Sequence, residues 1–119
     1  MVKIKKIGLE FGGKRIEVPC QDCNIFQKMR GLMFRKRSKA PILLFRFVED
    51  KYISFHSFFV FFPFVIIWLD KNNKVVEYKE VRPWSWKIKT KKHFSKVIEI
   101  PINYKNSSLL EELSEILRR

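Results

Sequence analysis

The stretch from Ile53 to Leu69 constrains this chain most, because it contains no Lys, Arg, Asp or Glu. Its purely apolar part starts at Phe58 and is interrupted by Pro63, well short of the ~20 residues that a membrane-spanning helix needs. Its Phe, Val and Ile side chains suit buried β-strand, and a proline within such a run permits only a bend or an edge position. No membrane insertion is therefore expected. A chain of 119 residues has room for one continuous core and not for two, so residues 1–119 read as a single domain. The 12 Phe, 3 Trp and 3 Tyr favour strands around a thick aromatic core.

The rest of the chain supplies partners for that stretch. Residues 2–11 and 14–19 read as two strands joined at Gly12-Gly13, a pair suited to the positive φ angles of a tight hairpin. Asn24 is a suitable N-cap for a short helix whose apolar face carries Ile25, Phe26, Met29, Leu32 and Met33. Gly31 weakens that helix and marks either a close backbone approach or the helix end. Residues 35–39 form a basic loop before Pro41, and strands are expected over 42–48, 52–62, 64–69, 75–81 and 97–100. The chain turns at 49–51 and again at Asp70-Lys71-Asn72-Asn73-Lys74, where asparagine tolerates the left-handed region. Ser108 and Glu111 form a capping box for a terminal amphipathic helix over about 108–118, with Leu109, Leu110, Leu113, Ile116 and Leu117 on one face. That face is expected to cover the sheet; docking of a protein partner through Leu109, Leu113 and Ile116 is the alternative.

Charge is the main compositional clue to function. The formal net charge is +13, and it is unevenly placed. Residues 1–39 carry 11 positive and 3 negative groups, and residues 84–105 carry 6 and 1, whereas residues 40–83 are nearly balanced. Two basic blocks point to an anionic partner, because a merely solvated surface intersperses both signs. A lysine-rich composition adopted for thermal stability would place more glutamates beside the lysines. The first residues, Met1-Val2-Lys3-Ile4-Lys5-Lys6, are charged and no apolar targeting segment follows, so a cytoplasmic location is expected.

The segment Arg30-Gly31-Leu32-Met33-Phe34-Arg35 resembles the Arg-Gly-Leu-Met-x-Arg signature of the family known as domain of unknown function 192. Further landmarks follow in that family's order: Ile42-Leu43-Leu44-Phe45, then Phe58-Phe59-Val60-Phe61-Phe62-Pro63 with Ile66-Ile67-Trp68-Leu69-Asp70 in the form common to archaeal members. Lys74-Val75-Val76, Arg82-Pro83-Trp84 and Ile98-Glu99-Ile100-Pro101 complete the set, and the resemblance covers about residues 14–102. It implies a compact, mainly β, jelly-roll-like sandwich or barrel with a short helix before the Gly-Leu-Met turn, and no established activity. The chain departs from the pattern at Val65, where the family usually has an acid. It departs again at Phe59 and Val60, where many bacterial members carry amide and hydroxyl groups, and near Asn103, where a glycine is usual. The terminal helix has no counterpart in the pattern. A polar pocket at that place in the family would here be largely filled with hydrocarbon.

Few residues have the arrangement that chemistry requires. Cys20-Gln21-Asp22-Cys23 is a lone C-x-x-C without the alternating strand and helix order of a thioredoxin-like unit. As a zinc site it would have to recruit His56 and His93, which lie far apart without ligand spacing, so structural cysteines and no cofactor are expected. There is no G-x-S-x-G elbow, and no Ser or Cys has an evident His and acid partner. Asp70 and Glu99 are the acids embedded in strong strand patterns. Asp70 reads as the start of a hairpin loop, while Glu99 lies on the strand face opposite Ile98 and Ile100. A bidentate Arg35–Glu99 pair would tie the Gly-Leu-Met turn to the sheet, a structural role.

The reading therefore leans away from an enzyme and towards a basic domain that docks on RNA or a ribonucleoprotein such as the ribosome. One set of candidate contacts is Arg30, Arg35, Lys36, Arg37 and Lys39. The second is Trp86, Lys87, Lys89, Lys91 and Lys92; if extended, this segment would put Trp84, Trp86 and Ile88 on one face and the lysines on the other. Trp84, in a family landmark, is expected to close the end of the barrel, whereas Trp86 suits closure and base stacking equally. The alternative is a small-ligand or enzymatic pocket near Arg35, Ser57 and Glu99.

Overall fold

The computed structural model describes residues 3–23, 31–47, 59–85 and 88–117. Six strands form one sheet: β1 Ile4–Phe11, β2 Lys14–Asp22, β3 Leu43–Arg46, β4 Phe64–Leu69, β5 Val75–Val81 and β6 Lys96–Pro101. Their order across the sheet is β1-β2-β3-β6-β4-β5, with β2 and β3 parallel and the other neighbours antiparallel. Among the described residues one α-helix, α1 Ser107–Leu117, follows β6 through a 3-10 turn at Tyr104–Asn106.

The charge-free stretch explains why β4 is internal. Phe64, Ile66 and Trp68 point to one side, Ile67 and Leu69 to the other, and all five are at most 1% exposed. A strand apolar on both faces has to be covered on both, and two clusters do so. The first joins Ile7, Leu9, Ile16, Val18, Leu44, Ile67, Leu69, Ile98 and Ile100 with Leu113 and Leu117 of α1. The second joins Leu43, Phe45, Phe64, Ile66, Trp68 and Val97 with residues from the irregular segments, among them Leu32, Val60, Phe62, Ile88 and Phe94. The sheet also curls. The Glu10 amide donates to the Asn73 carbonyl at 3.0 Å, and Phe11 meets Tyr78 edge to face, so the β1 and β5 edges approach each other as in a half-barrel. The mainly β expectation holds, in its barrel-like form.

Local signals acted much as expected at the two hairpins. Gly12 and Gly13 have φ of 57° and 79°, while Asp70 Oδ1 accepts from the amides of Asn72 and Lys74. β2 is longer than expected and ends at Asp22, with the Cys23 amide donating to the Leu44 carbonyl. The C-x-x-C pair therefore starts within a strand. The strand expected over 52–62 is absent in its described part, 59–62. There Val60 and Phe62 are buried and Phe59 and Phe61 exposed, a strand-like alternation, but Phe59 has φ of 61° and cannot continue a ladder. The helix expected after Asn24 lies mostly outside the described residues, and 31–34 form a turn.

The capping box at Ser108 does not start the terminal helix. Asn103 Oδ1 instead accepts from the Asn106 amide at 3.0 Å, and the helix is already running at Ser107. Its apolar face serves the protein itself: Leu113 and Leu117 are buried, Leu109, Leu110 and Ile116 pack against the first cluster, and Tyr78 Oη donates to the Leu117 carbonyl. The partner-docking role suggested for this face is therefore not needed to explain it. Among the described residues no helix is long and apolar enough to cross a membrane. If α1 anchors the first cluster, Leu113→Ala should lower unfolding free energy by ~2–5 kcal/mol, read from the urea midpoint at unchanged slope.

Candidate nucleic-acid interface

One end of the sheet gathers most of the irregular backbone. β4 begins there and β5 and β6 finish there, because Phe64 pairs with both Val81 and Pro101. The turn at 31–34, the 3-10 turn Arg37–Lys39 and the segments 59–63, 82–85 and 102–106 meet at this end. Several bonds stitch them together. The Phe34 amide donates to the Phe59 carbonyl at 2.8 Å, and the Ile102 amide to the Pro63 carbonyl at 3.0 Å. Asn103, 8% exposed, donates through Nδ2 to the Arg37 carbonyl at 2.9 Å, while Arg37 Nε donates to the Ile102 carbonyl at 2.8 Å. This reciprocal pair fixes the basic turn against the chain leaving β6.

Lys36, Arg37, Ser38, Ile102, Asn103, Tyr104 and Lys105 line a groove of about 730 Å³ at this end. Lys36, Arg37, Lys39 and Lys105 are exposed. Among the described residues no carboxylate pairs with Lys36, Arg37 or Lys105. Part of the first predicted cluster is thus united with Lys105 and with Tyr104, which is 95% exposed. Arg30 lies outside the described residues.

The second predicted cluster occupies a different place. Lys79 Nζ donates to the Lys89 carbonyl and Lys92 Nζ to the Val76 carbonyl, each at 2.8 Å, so residues 89–92 run antiparallel beside β5. Lys89, Lys91 and Lys92 are exposed there and line no part of the groove, and Trp86 and Lys87 lie outside the described residues. Trp84 does not close the barrel as expected. It is 49% exposed and touches Phe59 and Phe61, which are themselves partly exposed. Its φ of 62° turns the chain outward immediately after β5. This aromatic group, with Phe34, and the Tyr104–Lys105 contribution escaped the sequence reading, although Tyr104-Lys105 stands directly before the terminal helix.

Glu99 occupies the opposite extreme of solvation. It sits in β6 between Leu43 and Ile66, both fully buried, and is 5% exposed. Burial pushes its carboxyl up to about 8. Gly31, at φ of 55°, comes so close that a Cβ there would stand 3.5 Å from Glu99 Oε1, and Arg35 Nε donates to the Gly31 carbonyl at 3.0 Å. Arg35 and Glu99 thus share Gly31 as a neighbour, and the positive φ there accounts for the glycine of the Gly-Leu-Met turn. Ser57, the other residue of the alternative pocket, lies outside the described residues.

The cysteines are thiols at neutral pH. Burial, with a smaller push from Asp22, raises Cys20 to about 11; burial and then Glu99 raise Cys23 to about 12, with a backbone hydrogen bond from Leu44 and then Arg35 opposing. Neither has the thiolate character of a redox or catalytic cysteine. Among the described residues no group of three His, Cys, Asp or Glu side chains is placed to hold a metal; His56 is outside them.

The raised Glu99 carboxyl has a defined consequence for stability. The unfolded chain releases that proton near 4.5, and the folded chain holds it to about 8. Between those values the folded state binds more protons, so this contribution is complete below the lower value and is lost as pH rises through the upper one. Glu99→Gln should remove a fall of at most ~1.4 kcal/mol per pH unit. Urea unfolding of both proteins at pH 5 to 8 checks this: the difference between them should shift steadily in favour of the variant as pH rises.

No curated protein matches this chain significantly. A protein of unknown function from Novosphingobium aromaticivorans is similar in structure, with a TM-score of 0.70 at 16% identity, covering 89% of this chain and 78% of the other. A Sinorhizobium meliloti protein provisionally described as a transcription regulator gives 0.71 at 16% identity, covering 92% and 88%. At such identities the likeness is one of fold alone. The family profile described as Uncharacterized ACR, domain of unknown function 192, matches residues 9–112, and the chain belongs to that family.

Proposed function

We propose that this protein is a non-catalytic module that docks on RNA, alone or within a ribonucleoprotein such as the ribosome, through the Lys36–Arg37–Lys105 groove. The observation that carries this reading is a fixed groove of basic side chains with no carboxylate paired to them among the described residues. Native surfaces usually intersperse both signs, and a one-sign groove raises the local concentration of a polyanion. Arg37 is held through Nε, which leaves its terminal guanidinium nitrogens for phosphate oxygens, the geometry in which arginine binds phosphate best. The lysines along β5 provide a second, weaker contact. A cytoplasmic location fits such a partner.

A second reading, a small-ligand pocket around Arg35, Ser57 and Glu99, is favoured by one observation. A buried carboxyl that stays protonated at neutral pH can donate a hydrogen bond to a ligand.

The test is equilibrium binding of structured RNA and of duplex DNA at several salt concentrations. Log affinity for RNA should fall linearly with log salt. The triple variant Lys36→Glu/Arg37→Glu/Lys105→Glu should flatten that slope by ~2 to 3, about 0.7–0.9 per lost phosphate contact. Lys89→Glu/Lys91→Glu/Lys92→Glu should change it less. Tighter binding of duplex DNA would move the reading towards the role described for the Sinorhizobium protein. No binding near physiological salt would sink it and turn attention to Glu99.

A further inference from the structure

We propose that the groove end also carries a stacking platform for unpaired bases, made by Phe34, Phe59, Trp84 and Phe61, so that the RNA segment it takes is single-stranded. The proposal rests on the groove being an RNA site and adds which form of RNA is selected.

The four rings are continuous. Phe34 and Phe59 are stacked with centroids 4.9 Å apart and planes at 22°, Phe59 meets Trp84 at 4.9 Å and 61°, and Trp84 meets Phe61 at 5.9 Å and 68°. They remain exposed nonetheless, Phe34 and Phe61 at 61% and Phe59 at 41%. Phe34 is the more exposed ring of the stacked pair.

The backbone cost makes an accidental cluster a poor explanation. Phe34, Phe59 and Trp84 have φ of 59°, 61° and 62°, a region that bulky side chains avoid. Strain of this kind persists where the surroundings enforce it and is concentrated at binding sites. Burial usually repays such a conformation, yet Phe34 stays 61% exposed and Phe59 and Trp84 remain 41% and 49% exposed. A ligand that covers aromatic faces would bury the area left open.

Charge then selects the ligand. Phe34 is two residues before Lys36, which lines the groove, so the platform and the groove adjoin. A strand whose phosphates follow Lys36, Arg37 and Lys105 would bring its bases to the neighbouring rings. In a duplex the base faces are already occupied by their neighbours, so only unpaired nucleotides can stack on the platform.

The test compares a single-stranded RNA oligomer with a duplex RNA of similar charge, using the full chain and its Phe34→Ala, Phe34→Leu and Trp84→Phe variants. Retained duplex binding and an unchanged melting transition show that each variant is folded. Phe34→Ala should weaken single-strand binding by ~5- to ~150-fold, the effect of ~1–3 kcal/mol per stacked base, and leave duplex binding unchanged. Phe34→Leu, which keeps bulk and loses the ring, should behave like the alanine variant, and Trp84→Phe should retain most binding. Because stacking releases no counterions, the salt slope should stay the same in all three, unlike the groove variant. Equal affinity for single strand and duplex, with an inert Phe34→Ala, would overturn the platform and leave the groove reading standing. Absence of all RNA binding would overturn both. Concentration-dependent self-association abolished by Phe34→Ala, with RNA binding intact, would reassign the rings to an interface between copies of this chain.

Discussion

The pairing of β4 with β6 in the middle of the sheet is the constraint on which the rest of the molecule depends. Phe64 to Leu69 run against Pro101 to Lys96 in unbroken register, and nearly every side chain in that block is buried on one face or the other. A centre that is apolar on both sides cannot stand alone in water, so each face requires a cover. The terminal helix covers the inner face. The outer face is covered by irregular segments, which have to cross it to connect distant strands, and this is why loops accumulate at one end of the sheet.

Glu99 is the exception inside that block. A carboxyl between Leu43 and Ile66 is tolerated by remaining protonated, and Gly31 lies against it in a left-handed conformation that a larger residue would strain. The Gly-Leu-Met turn is thus positioned by contact with the centre of the sheet. That position carries Phe34, Arg35 and Lys36 to the rim, where the Phe34–Phe59 and Arg37–Ile102 hydrogen bonds hold them. Solvation separates the two regions sharply: a neutral acid in the core, and a few residues along the chain from Gly31 the exposed basic side chains of Lys36 and Arg37.

Much of the architecture is local and can be read directly. Gly12-Gly13 and Asp70 to Lys74 announce hairpins because positive φ and Asx bonds are decided within a few residues. The 64–69 and 75–81 strands follow from their apolar pattern, and the terminal helix from its period. The start of that helix was misread because it is entered through the 3-10 turn Tyr104–Asn106, which Asn103 caps while its amide is held by the Arg37 and Ala40 carbonyls. The 59–62 segment was misread for a related reason: its alternation is that of a strand, but no ladder partner accompanies it.

What the sequence by itself determined is a basic, mainly β domain of one family, with its hairpins, its buried central strand and its amphipathic helix. These features depend on periodicity, turn chemistry and composition, each expressed over short stretches of chain. Tertiary structure alone decided which charges and rings share a surface. It separated Lys89, Lys91 and Lys92 from Lys36 and Arg37, joined Lys105 and Tyr104 to the latter, and assembled Phe34, Phe59, Phe61 and Trp84 from three distant segments. The physical reason is that strand pairing brings residues together by their place in the sheet, and separation along the chain carries no record of that order.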